Sequence, residues 1–353
     1  MGIAEHAGLS VRAVAGLRQR SVATSREDAP AWFRAAMVFF PLWIVGGAYF
    51  DTWAHHHSTL TTIWTVPHGV VFTGLGAAGV FMAVSFHRIA GGIGGMLKAI
   101  PQGYGLAVAG FVITLTGGIG DLVWHAIFGV DQGFGSVTSP THIMTGAGLC
   151  LMATGPLRGA WSGSARRITW SALASATLVL AMIFFFDEAT HPFLAQWASR
   201  VYPVAMLREQ AEQLGTVEVA IWAAIIVGFT LPLVLRFEMP FGALTLILGV
   251  TGIMTTLIVA PHPVLAVGVV GGLVADELIR ALRPSRARRL HVRAFAAAVP
   301  AAMALTYFFV LSQAGGVWWP ANIWAGSVVA AGIVGVLVSL LILPALKTER
   351  PAA

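Results

Sequence analysis

Three aspartates in this sequence are each followed, four residues on, by a histidine: Asp51 by His55, Asp121 by His125 and Asp187 by His191. Six aspartates and eleven histidines scattered over 353 residues would give about 0.2 such pairs by chance. On a helix, residues four apart share one face with their Cβ atoms close together, so a carboxylate and an imidazole can grip one cation between them. Two of the pairs precede a further histidine near the start of the next apolar segment, His68 behind Pro67 and His142 behind Pro140. The pattern is a unit of aspartate, histidine, turn and histidine, and the chemistry it implies is metal binding. Neutral imidazole with one carboxylate suits copper, zinc, iron or nickel, and the residue types alone do not choose among them. The candidate ligands are Asp51, His55, His68, Asp121, His125, His142, Asp187 and His191.

The stretches GGAYFDTWAHHH and GGIGDLVWHAIFG also share a preceding Gly-Gly and a tryptophan. The third copy, FFFDEATHPF, has no histidine on the following segment, where Glu218 stands instead. A fourth hairpin keeps only His262, and a fifth carries Trp318 and Trp319 with no ligand. This is the signature of repeated helical hairpins, the first three keeping chemistry and the last two serving as scaffold. A plainer reading of each pair is a hydrogen bond at a helix end, where the macrodipole favours histidine. The same dipole disfavours aspartate there, which counts against that reading for all three. Residues His56 and His57 read as partly solvated loop, and Trp53, Trp64 and Trp124 as an aromatic belt.

These residues are embedded in an apolar chain. Apolar residues make up 57% of it and charged ones only 10%, with a mean hydropathy of +0.80. A soluble protein of this length needs more polar surface to cover its core, so the composition specifies an integral membrane protein. A single cysteine, Cys150, excludes an intrachain disulfide. A membrane-crossing helix needs about 20 apolar residues. Ten segments qualify, at roughly 33–51, 66–86, 104–128, 139–157, 168–187, 217–236, 241–260, 263–281, 294–312 and 321–345. The expected architecture is all-α and polytopic, about ten transmembrane helices. A basic tail at 1–32 precedes the membrane domain at 33–346, which divides into ligand-bearing hairpins at 33–236 and scaffold hairpins at 241–346. A short tail follows at 347–353.

With both ends placed in the cytoplasm, 19 of the 21 basic residues fall on the inner side, and only Arg200 and Arg208 fall outside. That split is what the positive-inside rule predicts. It explains the basic balance without nucleic acid. It also puts eight of the eleven histidines at the outer ends of helices or in outer loops. The Arg-over-Lys bias and the wealth of Ala, Gly and Val read as the product of a high-GC bacterial genome, so the expected location is a bacterial inner membrane, and the positive-inside split turns the metal site outside. The longest outer segment, PFLAQWASRVYPVAMLREQAEQL, reads as an interfacial helix and a lid.

Asp51-x3-His55-x12-His68 is similar to the Asp-x3-His…His copper-site motif in the C subunit of the particulate methane and ammonia monooxygenases. The similarity covers about eighteen residues. Carried over, it implies copper held by Asp51, His55 and His68, with Asp121, His125 and His142 as a longer-spaced cousin. It further implies oxidation of a small apolar substrate, with other membrane subunits or a homo-oligomer as partners. The chain departs from that family by extra helices, by repeating the motif and by showing no soluble copper domain. Other classes stay open: a protein that delivers or takes up metal, a haem protein with His68 and His142 as axial ligands, and a zinc hydrolase with Glu188 as its base.

Overall fold

The computed structural model describes residues 29–58, 62, 64–130, 138–259 and 263–344. The two expected tails lie almost wholly outside these residues, and so does His262. Among the described residues there is no strand, and the chain folds into twelve helices with three 3₁₀ segments, of seven, three and three residues. The helices are α1 (Ala31–His57), α2 (Val66–Ala90), α3 (Gly105–Phe128), α4 (Pro140–Ala153), α5 (Gly155–Ser162) and α6 (Trp170–Phe186). They continue with the short α7 (Pro192–Ala195), then α8 (Ala205–Arg236), α9 (Ala243–Leu257), α10 (Leu265–Leu282), α11 (Arg289–Ala314) and α12 (Ala321–Ile342).

Six of them, α1, α2, α3, α8, α11 and α12, are long and apolar enough to cross a bilayer. The other four expected spans fall on shorter helices. At 1.5 Å per residue, the 17 residues of α6 and 15 of α9 fall short of a hydrocarbon core about 30 Å thick. Pro156, which has no N–H to donate, divides the fourth span into α4 and α5. Helix α10 is 18 residues long and carries Asp276, Glu277 and Arg280 near its end. In the other direction, α8 starts twelve residues before the apolar stretch that announced it, because the polar segment MLREQAEQLGT continues the same helix. Much of the expected interfacial segment is therefore the first three turns of α8.

Large apolar side chains stand on the outer surface, among them Val80 on α2, Ile127 on α3, Phe309 on α11 and Leu341 on α12. A surface of this kind is stable against lipid and unstable against water. Between helices in lipid, hydrophobic burial offers little drive, and close packing of small residues takes its place. The α3–α4 contact shows this. A Cβ added at Gly110 would fall 2.5 Å from the carbonyl oxygen of Gly148, and one at Gly148 would fall 2.5 Å from the backbone nitrogen of Thr114. The two backbones thus touch at a distance only glycine permits.

Two buried cores result. One lies among α1–α4 and includes Phe33, Ile44, Met82, Leu149 and Met182. The other lies among α6 and α8–α12 and includes Trp222, Ile226, Phe295 and Tyr307. Helix α6 joins them, giving Leu178 and Met182 to the first and Leu180 and Phe184 to the second. At one end of the bundle Arg236 donates hydrogen bonds to the carbonyls of Trp161, Gly163 and Ala165. The Asp-His pairs of α1 and α3 sit at the C-terminal ends of their helices.

Candidate metal centre

Asp121 and His125 occupy the last two turns of α3, on the face turned inward, and both are buried. His142 enters from α4, whose first turn is set by Ser139 and Pro140. The Ser139 hydroxyl accepts from the backbone nitrogen of His142 at 3.4 Å, the ordinary N-cap bond, and proline at the first position is pre-organised for the helix. The glycine contacts of α3 and α4 then bring the end of one helix against the start of the other. A single carboxylate spans the two imidazoles: Asp121 Oδ2 is 3.2 Å from His125 Nε2, and Asp121 Oδ1 is 3.5 Å from His142 Nε2. One donor atom from each of the three residues lies within 4.8 Å of the others.

Each donor is also held from behind. His125 Nδ1 lies 2.8 Å from the carbonyl oxygen of Gly129. A carbonyl only accepts, so Nδ1 carries a hydrogen and Nε2 is the nitrogen turned toward Asp121. His142 Nδ1 is 2.5 Å from the Ser139 hydroxyl. Asp121 Oδ1 accepts from the Thr141 hydroxyl at 2.8 Å. The contact of Nε2 with the carboxylate at 3.2 Å calls for a positive species there, a proton or a metal ion. The arrangement meets the usual demands of a metal site: two imidazoles and a carboxylate, oriented by outer hydrogen bonds.

A second trio is built to a similar plan on α1 and α2. His55 Nε2 lies 3.7 Å from Asp51 Oδ2. His68, behind Pro67 and the N-cap Thr65, has its Nδ1 3.2 Å from Asp51 Oδ1. That nitrogen is turned to the Thr65 hydroxyl at 2.8 Å, and Asp51 Oδ1 is left buried without a hydrogen bond. His55 Nδ1 is likewise buried and unsatisfied. This trio is looser than the first.

Both trios border one small, partly open cavity. Asp51, His55, His68, Asp121 and His142 line it, and the rest of the wall is largely apolar, including Ile44, Val71, Phe72, Leu149, Met182 and Phe185. The eight predicted ligands therefore divide, with six in these two trios.

The third pair is placed differently. Helix α6 ends at Phe186, so Asp187 and His191 are separated by a 3₁₀ turn rather than sharing a helix face. The Asp187 carboxylate accepts from the Thr190 hydroxyl. His191 is wholly buried, with Phe184 and Phe193 packed edge-on at 4.7 and 4.8 Å and Trp222 beyond. Its Nδ1 accepts from the Phe193 backbone nitrogen at 3.2 Å, which leaves the ring hydrogen on Nε2. Burial in this apolar cage lowers the imidazole pKa to about 3. The pKa of Asp187 is raised to about 6, chiefly by burial and against the Thr190 hydrogen bond. Glu218, the residue standing in for a third-hairpin histidine, is buried and accepts from the Trp197 indole at 2.6 Å.

His56 and Glu188 are joined at 2.6 Å, which ties the end of α1 to the turn after α6. Glu188, the candidate base for hydrolysis, is thus engaged with His56 and is not among the residues that line the cavity. His57 is exposed and stacks on Trp53 at 4.7 Å. Of the supporting residues, Thr65 and Ser139 carry a sequence signal, standing just ahead of Pro67 and Pro140 in the usual position of a helix cap, whereas nothing in the local pattern marks Thr141. Compared with known protein families, with curated proteins and with solved structures, the chain matches none of them.

Proposed function

We propose that this chain is a membrane metalloprotein in which Asp121, His125 and His142 hold a redox-active transition metal, copper in the first place, beside a cavity that takes a small apolar substrate for oxidation. The observation that carries the proposal is the convergence of Asp121, His125 and His142, whose donor atoms lie within 4.8 Å of one another. The Nδ1 of His125 is held by Gly129, which turns Nε2 toward Asp121 at 3.2 Å, with His142 closing the set. The apolar wall supports the substrate class, since a pocket of this kind binds by excluding water and orients by few polar groups. The similarity of the Asp-x3-His…His spacing to the copper monooxygenase motif supports copper over zinc. A bound copper ion would supply one-electron chemistry; the chain's own residues orient the donors and line the cavity with apolar side chains.

In this reading the trios face the outside of a bacterial inner membrane. The positive-inside count supports that orientation, because the basic loops, including Arg236 with its carbonyl partners, belong to the opposite ends of the helices.

Metal analysis and paramagnetic resonance of detergent-purified protein test the proposal. Bound copper with a nitrogen-coordinated Cu(II) signal is expected, lost in Asp121→Ala and His125→Ala. Copper content unchanged in both variants would overturn the ligand assignment, and zinc retained in place of copper would overturn the redox reading. A delivery protein would give up its copper to a mild chelator within seconds, whereas an oxidase would retain it through turnover.

A further inference from the structure

The two trios open onto the same cavity, and from this we infer that they form one two-ion centre, with a second metal ion held by Asp51, His55 and His68 beside the ion at Asp121. The inference rests on the metal-centre reading above and extends it. Three observations independent of the Asp121 geometry lead to it.

The first is charge. Asp51 and Asp121 both line the cavity, and no lysine or arginine is among its lining residues. Asp51 lies within electrostatic reach of Asp121 and His125. Two carboxylates facing one largely apolar space repel each other, and an uncompensated charge in such surroundings is costly. Cations in the cavity remove both penalties.

The second is unsatisfied valence. Asp51 Oδ1 and His55 Nδ1 are buried without hydrogen-bond partners, although the side chain of His55 is only 7% exposed. Buried polar atoms in native proteins nearly always find a partner. An ion drawn between Asp51 and the two histidines meets the need at the oxygen, and rotation of the His55 ring exchanges its two nitrogens.

The third is construction. His68 and His142 each stand three residues after a hydroxyl N-cap, Thr65 and Ser139, and each has its Nδ1 on that hydroxyl, at 2.8 and 2.5 Å. The same local device therefore places one imidazole from each hairpin on the wall of the shared space, with His142 turning Nε2 and His68 turning Nδ1 toward its carboxylate. The six side chains make two sets of two histidines and one carboxylate; the donor atoms of the Asp121 set already lie within 4.8 Å of one another, and an ion at Asp51 would draw the looser set together. Paired metal ions a few ångströms apart clamp a small molecule between them.

The experiment is a copper count with a coupling readout. Protein stripped with chelator is loaded with Cu²⁺, freed of excess ion and assayed for copper per chain. Two ions are expected in the parent protein, one in Asp51→Ala, one in Asp121→Ala and none in the double variant. The paramagnetic resonance signal of the parent should be broadened by dipolar coupling, and each single variant should return a sharp, uncoupled Cu(II) spectrum. One ion in the parent, unchanged by Asp51→Ala but lost in Asp121→Ala, overturns the two-ion centre and leaves the Asp121 site standing. Copper retained in full by Asp121→Ala instead sinks the underlying reading. Two ions with uncoupled signals overturn the shared centre. If Asp51→Ala elutes as an aggregate, His55→Ala serves in its place with the same expected count.

Discussion

The Thr141 hydroxyl reaches across from α4 to Asp121 on α3 and donates to Oδ1 at 2.8 Å. This bond fixes the carboxylate whose two oxygens face His125 and His142, while leaving the donor set itself untouched. Removing it with the near-isosteric Thr141→Val should leave copper stoichiometry at saturation unchanged and weaken affinity by roughly 10–100-fold, the usual cost of losing an outer-shell partner. Competition against a chelator of known affinity measures it. An affinity within twofold of the parent would show that Asp121 needs no such support.

The contact that brings His142 to Asp121 is backbone on backbone, so it should be sensitive to a single methyl group. Alanine at Gly110 places its Cβ 2.5 Å from both the Gly148 carbonyl and the Met152 nitrogen. Neither can rotate away, so the helices must separate. Overpacking of this kind costs about 1–3 kcal/mol. Gly110→Ala should lower the melting temperature in detergent and also weaken copper binding, although it is more than two helical turns from Asp121. Alanine at Gly105, exposed at the start of the same helix and meeting nothing within 4 Å, is the control and should change neither.

Much of the site was legible in the sequence because it is local. The i, i+4 spacing of Asp51 with His55 and of Asp121 with His125 survives in the fold because both pairs lie inside helices that run past them. The third pair has the same spacing and fails to pair, since α6 ends at Phe186 and its C-cap is Asp187 itself. What ends the helix there is the pull of tertiary partners, Glu188 to His56 and His191 into the Phe184–Phe193–Trp222 cage, and no local periodicity encodes that. The meeting of two hairpins at one cavity was equally hidden, because it depends on α6 supplying Met182 and Phe185 between them. Ten apolar segments were readable and all contain helix, yet among the described residues six helices are long and apolar enough to cross alone. Hydropathy measures transfer to lipid and is blind to where a proline or a cap stops the helix.

His191 and Asp187 give the fold a pH dependence of opposite signs. His191 is neutral in the folded protein, with its pKa lowered from 6.5 to about 3 by burial. The unfolded chain therefore takes up a proton below pH 6.5 that the folded chain refuses, and stability is lost as pH falls through that window, by at most about 1.4 kcal/mol per pH unit. Asp187, raised from 3.8 to about 6, takes its proton in the folded state first, so it adds stability as pH falls from 6 towards 4. The two offset each other in the parent protein over that range. His191→Phe removes the first and exposes the second. Its melting temperature relative to the parent should therefore rise steadily between pH 7 and pH 4. A difference independent of pH would contradict a buried neutral His191.

The orientation of the site can be decided by chemistry at its two ends. Ser58 immediately follows α1 at the metal end, whereas Ser285 lies between α10 and α11 in the arginine-rich segment. Both positions are tolerant, since Ser58 is exposed and neither residue touches a proposed ligand. Cys150 is the single native thiol and is partly exposed, so the background is Cys150→Ser. In intact cells, Ser58→Cys should react with a membrane-impermeant maleimide, and Ser285→Cys should react only after the cells are opened. The reason is electrostatic: the end of α10, the loop after it and the start of α11, holding Arg280, Arg283, Arg286, Arg288, Arg289 and Arg293, resist translocation. The converse labelling would place the two trios in the cytoplasm, where copper is tightly withheld, and would turn the metal assignment away from copper.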